Sequence, residues 1–451
     1  MRYLPHTQDD LRNMLQRIGV QSVETLFDAI PEHLRLQRPL ELPEGLDEVG
    51  IVRRLSALAE ENRGAHQIRS FAGAGLYFHY SPAVINELLL RPEFYTAYTP
   101  YQPEVSQGTL QAMYEYQTMV CRLLGVEVSN ASMYDGSTAF TEAVLMARRL
   151  TRNRKLRVVV TGACHPEYLE VLRTYMLDHE ENLVLVPPAA DGRVDAAATV
   201  AVLDGETAAV AIQSPNAFGI VEDIAALAEP IHASGALVVS IFTDPTAFGL
   251  LEPPGACGAD IVAGEGQSLG LPVNLGGPLL GILGGRKEFV RSMPGRLIGK
   301  TVDRRGEIGY VVTLSTREQH IRRERATSNI CSNEGLCALG AAIYMTLMGP
   351  QGLSAVARMS HGLAVELRDR LTALPGVEEV FPGAPVYNEF ALRLPGPAGP
   401  ILDGLAEHGI AGGVSLGRWE PGRGDQILVA CTETTRIEDL DAYVSALQKI
   451  L

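Results

Sequence analysis

The sequence predicts an α/β fold, with a mostly parallel sheet carrying helices on both faces and a smaller C-terminal α+β domain. Three observations carry this expectation. From about residue 106 to 285, short apolar β-branched runs alternate with helical stretches, the pattern of a parallel sheet buried on both sides. From about 335 the texture changes to two long helical stretches, then short strands and two further helices. The chain has 451 residues, 46% apolar and 20% charged, enough to bury a large core without a disulfide or metal staple.

The elements follow in order. Thr7 can cap a first helix, with Asp9 and Asp10 in its first turn, apolar Leu11, Met14, Leu15 and Ile18 on one face, and Gly19 as its stop. Ser22 opens a second short helix with Val23, Leu26, Phe27 and Ile30 on one side, ended by Pro31. Residues 32–46 read as an extended connector. Helices are predicted over 107–124 and 136–150. Buried strands are predicted at 156–160 (LRVVV), 183–186, 208–213, 236–241, 260–263 and 278–283, with crossover helices at 167–178 and 223–233. Further on come helices over 335–347 and 353–373, strands at 379–381, 389–394 and 426–430, and helices at 400–408 and 437–450. The domain division expected is a helical arm and connector (1–65), a large α/β domain (66–330) and a C-terminal α+β domain (331–451).

Composition excludes several classes. Lys plus Arg is 38 against 53 Asp plus Glu, a formal charge of −15, which disfavours nucleic acid or an anionic membrane as partner. The start, MRYLPHTQDD, lacks the apolar core of a signal peptide, and no uncharged apolar run is read as approaching the ~18 residues of a membrane span. Six cysteines are scattered at 121, 164, 257, 331, 337 and 431 without CxxC or zinc spacing. Reduced thiols in a cytoplasmic protein, and no metal, are the expectation. Only four lysines occur, at 155, 287, 300 and 449, so any chemistry that needs a lysine has four candidates.

Three short constellations fall where a sheet of this kind binds ligands, at the carboxyl ends of its strands. Gly136, Ser137 and Thr138 follow Asp135 at a helix start, where free backbone N–H groups hold phosphate; an ordinary N-cap is the plain alternative. His165 follows the strand at 156–160, placed to stack on a planar ring or simply to cap a helix. Asp244 follows the strand at 236–241, placed to pair with a protonated pyridine nitrogen or to cap a turn before Pro245. Phosphate loop, stacking His and pyridinium Asp in that order suggest the scaffold of fold-type-I pyridoxal-phosphate enzymes. That scaffold needs a Schiff-base lysine some 20–30 residues beyond the Asp. The segment there, 263–270 (AGEGQSLG), has none. No GxGxxG follows a strand, so no nicotinamide site is expected. Two further stretches stand out. Tyr95, Tyr98, Tyr101 and Glu104 lie in one Pro-bounded loop, and residues 317–329 concentrate Arg in an acidic chain, where guanidinium forks suit carboxylates and phosphates, or pair with Glu318 and Glu324 on a solvated face.

The runs FYTAYTPYQPEVSQGTLQ, NASMYDGSTA, GADIVAGEGQSLG, MPGRLIGKTVD and TREQHIRRERATSNIC resemble the glycine decarboxylase (P-protein) family of the glycine cleavage system. The match is to the amino-terminal half of the single-chain form, or to the alpha subunit where the enzyme is split, over essentially the whole length. The resemblance implies a fold-type-I architecture and one subunit of a heteromeric enzyme. Glycine would be decarboxylated on pyridoxal phosphate held by a beta subunit, carbon dioxide released, and the aminomethyl carbon passed to the lipoyl arm of the H-protein. In that family the lysine lies in the other half. On this chain, Tyr95, Tyr98, Tyr101 and Glu104 would line the glycine- or lipoyl-facing pocket. Thr327 and Ser328 would reach the partner-bound cofactor, as a Thr does in related desulfurase-like enzymes. Gly136, Ser137, Thr138, His165 and Asp244 would be vestigial. Two alternatives are a non-catalytic structural or regulatory partner, and an autonomous transferase using a lysine such as Lys300.

Overall fold

The computed structural model describes residues 5–64, 67–97, 99–274 and 276–451. It resolves into two compact units, Met1–Arg63 and Gly64–Leu451.

In the first unit, α1 (Gln8–Ile18) begins at a reciprocal Thr7–Asp10 capping box and stops at Gly19 in the left-handed region (φ +88°), as its residues dictate. The short helix expected over 22–30 shrinks to one 3-10 turn, Glu24–Phe27. The connector expected over 32–46 is followed by an unforeseen helix, α2 (Glu48–Glu60), capped by Asp47. None of the described residues of this unit is buried, and Ile18, Phe27 and Leu55 are each at least half exposed. The described residues of this unit carry apolar faces and form no core of their own.

The second unit is built on a seven-stranded sheet. Before it come β1 (Arg69–Ser70), α3 (Ala83–Leu89), α4 (Pro92–Tyr95), α5 (Gln107–Leu124) and β2 (Val128–Ser129). The repeat of strand and helix follows: α6 (Gly136–Leu150), β3 (Arg157–Thr161), α7 (Pro166–Tyr175), β4 (Leu183–Val186), α8 (Ala196–Ala201), β5 (Thr207–Gln213), α9 (Ile224–Ala233), β6 (Leu237–Phe242), β7 (Ile261–Glu265) and β8 (Gly281–Gly285). The sheet order is β2-β8-β7-β6-β5-β3-β4. The five strands from β4 to β7 pair in parallel, and β8 and β2 are antiparallel. Every residue of β5 and β7 is buried, which is why these runs read as continuous apolar stretches. Since β3 pairs with both β4 and β5, the chain reverses its direction of travel at β3/β5, the switch point where such sheets bind ligands.

A hairpin of β9 (Leu297–Val302) and β10 (Ile308–Thr313) was not expected from sequence. Its apolar positions are interrupted by Lys300 and by the polar turn 303–307. It leads through α10 (Gln319–Arg322) to α11 (Gly335–Thr372). The two helices expected at 335–347 and 353–373 are one element broken at Gly349 (φ +56°, ψ −175°) before Pro350. One correction concerns this element. Its first part contains an 18-residue window of mean hydropathy 1.3, long and apolar enough to cross a membrane, with half of that window buried inside the protein. β11 (Glu378–Glu379), β12 (Glu389–Arg393), β14 (Val414–Ser415) and β15 (Gln426–Ala430) form an antiparallel sheet, while β13 (Ile410–Ala411) pairs with β1. α12 (Ala398–Glu407) and α13 (Ile437–Ile450) share an apolar core with the second half of α11, through Leu367, Leu405 and Leu440.

Candidate functional site

The three constellations lie at the carboxyl edge of the sheet, and each is already engaged. At the start of α6, Asp135 caps the helix, accepting the Thr138 N–H at 2.7 Å and the Ser137 hydroxyl at 2.6 Å. The Gly136 N–H donates to Glu265 Oε2 at 2.8 Å. Glu265 Oε1 accepts three more backbone N–H groups, from Gly266 (3.1 Å), Gln267 (2.9 Å) and Leu280 (2.9 Å). The carboxylate stands where the phosphate of a ligand was expected. Burial pushes Glu265 up to about 7, against the lowering effect of these N–H bonds.

Asp244 is 2% exposed, and its acceptor positions are taken. Thr246 donates its N–H (3.0 Å) and hydroxyl (2.7 Å) to Oδ1. Asn388 and His79 Nε2 donate to Oδ2, each at 3.0 Å. The other ring nitrogen of His79 faces Glu433 Oε2 at 2.6 Å. Burial alone would depress the His79 pKa, but the Asp244 charge and the bonds to both carboxylates win, raising it to about 10. Burial likewise works to raise Asp244, yet the His79 charge and the Thr246 bonds hold it below its ordinary value.

His165 lies between β3 and α7 and donates from Nε2 to the Ala74 carbonyl at 2.9 Å. Burial holds its pKa below the ordinary value. Its ring lies 5.5 Å from Trp419 and 5.1 Å from Tyr168. Against its Nε2 edge runs the backbone of 73–75. A Cβ on Gly75 (φ +102°) would sit 3.1 Å from His165 Nε2, and one on Gly73 would strike Glu389 and Ala430. Glu389 fixes this segment through the Ala74 N–H (2.6 Å) and Tyr77 hydroxyl (3.0 Å); burial raises it to about 7. The recess bounded by Gly75, His165, Thr243 and Trp419 keeps ≈ 0 Å³ of free volume.

The tyrosine loop is the opposite case. Tyr95 ends α4 and is 61% exposed, Tyr101 is 69% exposed, and Glu104 is exposed on a 3-10 turn; Tyr98 lies outside the described residues. Tyr95, with Phe94, Ala97 and Met113, walls a cavity of ≈ 190 Å³ whose far side is Ser332, Asn333 and the start of α11. The structure thus brings the tyrosine loop against the chain just beyond the Arg-rich run. Tyr101 and Glu104 do not line this cavity. Thr327 borders a separate small recess with Arg317 and Glu318, its N–H donating to the Arg317 carbonyl at 3.0 Å. The Ser328 hydroxyl turns inward to Glu142 Oε1 at 2.5 Å. Gln107, in the same motif, ties the region together. Its amide donates to the carbonyls of Pro103 (2.7 Å) and Tyr310 (2.9 Å) and accepts the Tyr310 N–H (2.9 Å).

A family model described as glycine cleavage system P-protein matches residues 1–447. The chain belongs to that P-protein family. A relative from Azorhizobium caulinodans is 49% identical, and one from Rhodospirillum centenum 50% identical, each over the full length of both chains. Both are named probable glycine dehydrogenase (decarboxylating) subunit 1, a name that implies a partner subunit. A crystal structure of glycine decarboxylase (P-protein) of the glycine cleavage system, in inhibitor-bound form, is 44% identical and superposes with a TM-score of 0.90 over all of both chains. A NifS-like protein from Rickettsia africae, at 14% identity and TM-score 0.63 over 85% of this chain, shares the fold alone, that of the fold-type-I pyridoxal-phosphate enzymes.

This P-protein chain does not fit that cofactor at its own cradle. The phosphate position holds Glu265, the ring-nitrogen partner Asp244 is bonded to His79, the backbone of 73–75 packs against His165, and residues 263–270 supply no lysine. Sequence reasoning missed Glu265, His79, Glu389 and Gln107. Glu265 carried a signal, as a lone charge at the end of an apolar strand inside the segment searched for lysine. His79 carried none, since its partners are 165 and 354 residues away.

Proposed function

We propose that this chain is the alpha half of a split glycine decarboxylase and acts in a cytoplasmic complex with a beta subunit that carries the pyridoxal phosphate. The complex decarboxylates glycine, releases carbon dioxide and passes the aminomethyl carbon to the lipoyl arm of the H-protein, whose disulfide accepts the two electrons. The cofactor supplies an electron sink for the bond to the departing carboxylate. This chain supplies walls. Tyr95, Tyr98, Tyr101 and Glu104 face glycine or the dithiolane arm, and Thr327 approaches the partner's cofactor. Ser328 supports that approach from behind through its bond to Glu142. The observation that carries this reading is the contrast within one chain, between a cradle closed by its own residues and an open cavity walled by Tyr95.

The test is glycine–carbon dioxide exchange with each subunit alone and mixed. Exchange is expected only in the mixture, together with a visible cofactor band absent from this chain by itself. Full exchange by the beta subunit alone would make this chain a non-catalytic partner. A band and exchange from this chain alone would make it an autonomous enzyme.

A further inference from the structure

The cradle at the sheet edge is full of the chain's own atoms, and those atoms bring the charges that a cofactor would bring. We infer that Glu265 and His79 are built-in replacements for the cofactor. The Glu265 carboxylate takes the phosphate's place against the start of α6, and the His79 imidazole takes the ring nitrogen's place against Asp244.

The N-terminus of a helix leaves N–H groups that need an acceptor, and its dipole favours an anion. At α6 the anion is Glu265, drawn in from the end of β7 and held by four backbone N–H groups. Asp244 in turn needs a buried cation or donor. His79 meets it, and because both ring nitrogens face carboxylate oxygens, which only accept, both must carry hydrogen. The third part is the recess beside His165, packed by the backbone of 73–75, where a Cβ on Gly73 would strike Glu389 and Ala430 and one on Gly75 would press on the imidazole. Anion, cation and filler come from two stretches far apart in sequence, 73–79 and the end of β7, and meet in the cofactor's order. The cradle thereby becomes a permanent clasp. It joins strand ends of the large sheet to Glu389 and Glu433 of the C-terminal region, and it refuses phosphate ligands. The groups that face His79 are Asp244 and Glu433. Around them stand Glu389 and the phenols of Tyr77, Tyr344 and Tyr387.

The full-length chain, wild type and Glu265→Gly, is melted in inorganic phosphate and in chloride of equal ionic strength. Coincident wild-type midpoints are expected, with a saturable upward shift in phosphate for Glu265→Gly. Saturable stabilisation of the wild type by phosphate, or a folded Glu265→Gly chain indifferent to it, overturns the inference. If that variant does not fold, the wild type decides. In the chain labelled with ¹⁵N-histidine and assigned with His79→Asn, His79 is expected to be doubly protonated at about pH 8.5, where an ordinary histidine is neutral. A neutral His79 at that pH overturns the inference as well.

Discussion

The cofactor cradle and the tyrosine-walled cavity are made from the same chain with opposite solutions. In the cradle, Asp244, Glu265, His79 and Glu389 are all buried and all bonded within the chain. In the tyrosine loop, Tyr95 at the cavity wall and Tyr101 and Glu104 beyond it stand in solvent. A buried polar group without a partner is costly, so a site that loses its ligand must be refilled or dismantled. An exposed group carries no such cost, and can wait for another chain to complete its surroundings. The difference teaches where to look for chemistry in this subunit: away from the place the fold makes conspicuous.

Breaking the closed region should give the largest effects. His79→Ala leaves the buried Asp244 and the half-buried Glu433 without their shared partner and is expected to cost about 3–5 kcal/mol of stability, the range for one half of a buried ion pair, read by denaturant unfolding. The same residue sets a pH dependence. With its pKa raised to about 10 in the folded chain, its contribution is fully present below the unfolded value of about 6.5 and is lost as pH rises through about 10. Wild-type stability should fall across that window and the His79→Ala curve should be flatter. Next, Gly136→Ala pushes a methyl into the Tyr168 hydroxyl and to 2.8 Å from the Glu265 nitrogen, with about 1–3 kcal/mol expected for overpacking. An unchanged melting midpoint would show that the start of α6 is looser than this packing allows.

The open region should respond in activity. Gln107→Glu replaces two donated hydrogen bonds by repulsion between a carboxylate and the Pro103 and Tyr310 carbonyls, at about 1 kcal/mol for each bond lost. Its expected signature is faster proteolysis of the tyrosine loop and the β9–β10 hairpin, with slower exchange. The smallest shift expected is for Tyr95→Phe and Thr327→Val. Both should assemble normally with the beta subunit and slow glycine–carbon dioxide exchange at least ~10-fold, equivalent to ~1.4 kcal/mol. Wild-type rates in both would leave this face a docking surface only.

The sheet was legible because its strands are buried on both faces, so that β5 and β7 read as unbroken apolar runs. The hairpin was hidden because its burial does not alternate: β9 is buried at its start and exposed at its end, and no residue of β10 is buried, so neither strand carries the alternation that marks a half-buried strand. The positions of Gly136, His165 and Asp244 were legible from strand ends, and the missing lysine from a count of four. What fills the cradle was not, since contacts such as His79 to Glu433 span 354 residues and leave no local pattern. The tyrosine loop was chosen for its residue types alone. Its meeting with Ser332 and Asn333 depends on how α5 and α11 pack.

The central claim is that the cofactor of the assembled enzyme is held by the partner and never by this chain. The direct measurement is borohydride reduction of the reconstituted complex with pyridoxal phosphate, followed by peptide mapping of both subunits. Stoichiometric pyridoxyl-lysine is expected on one lysine of the beta subunit, with Lys155, Lys287, Lys300 and Lys449 unlabelled. Full labelling of any of those four would contradict the account.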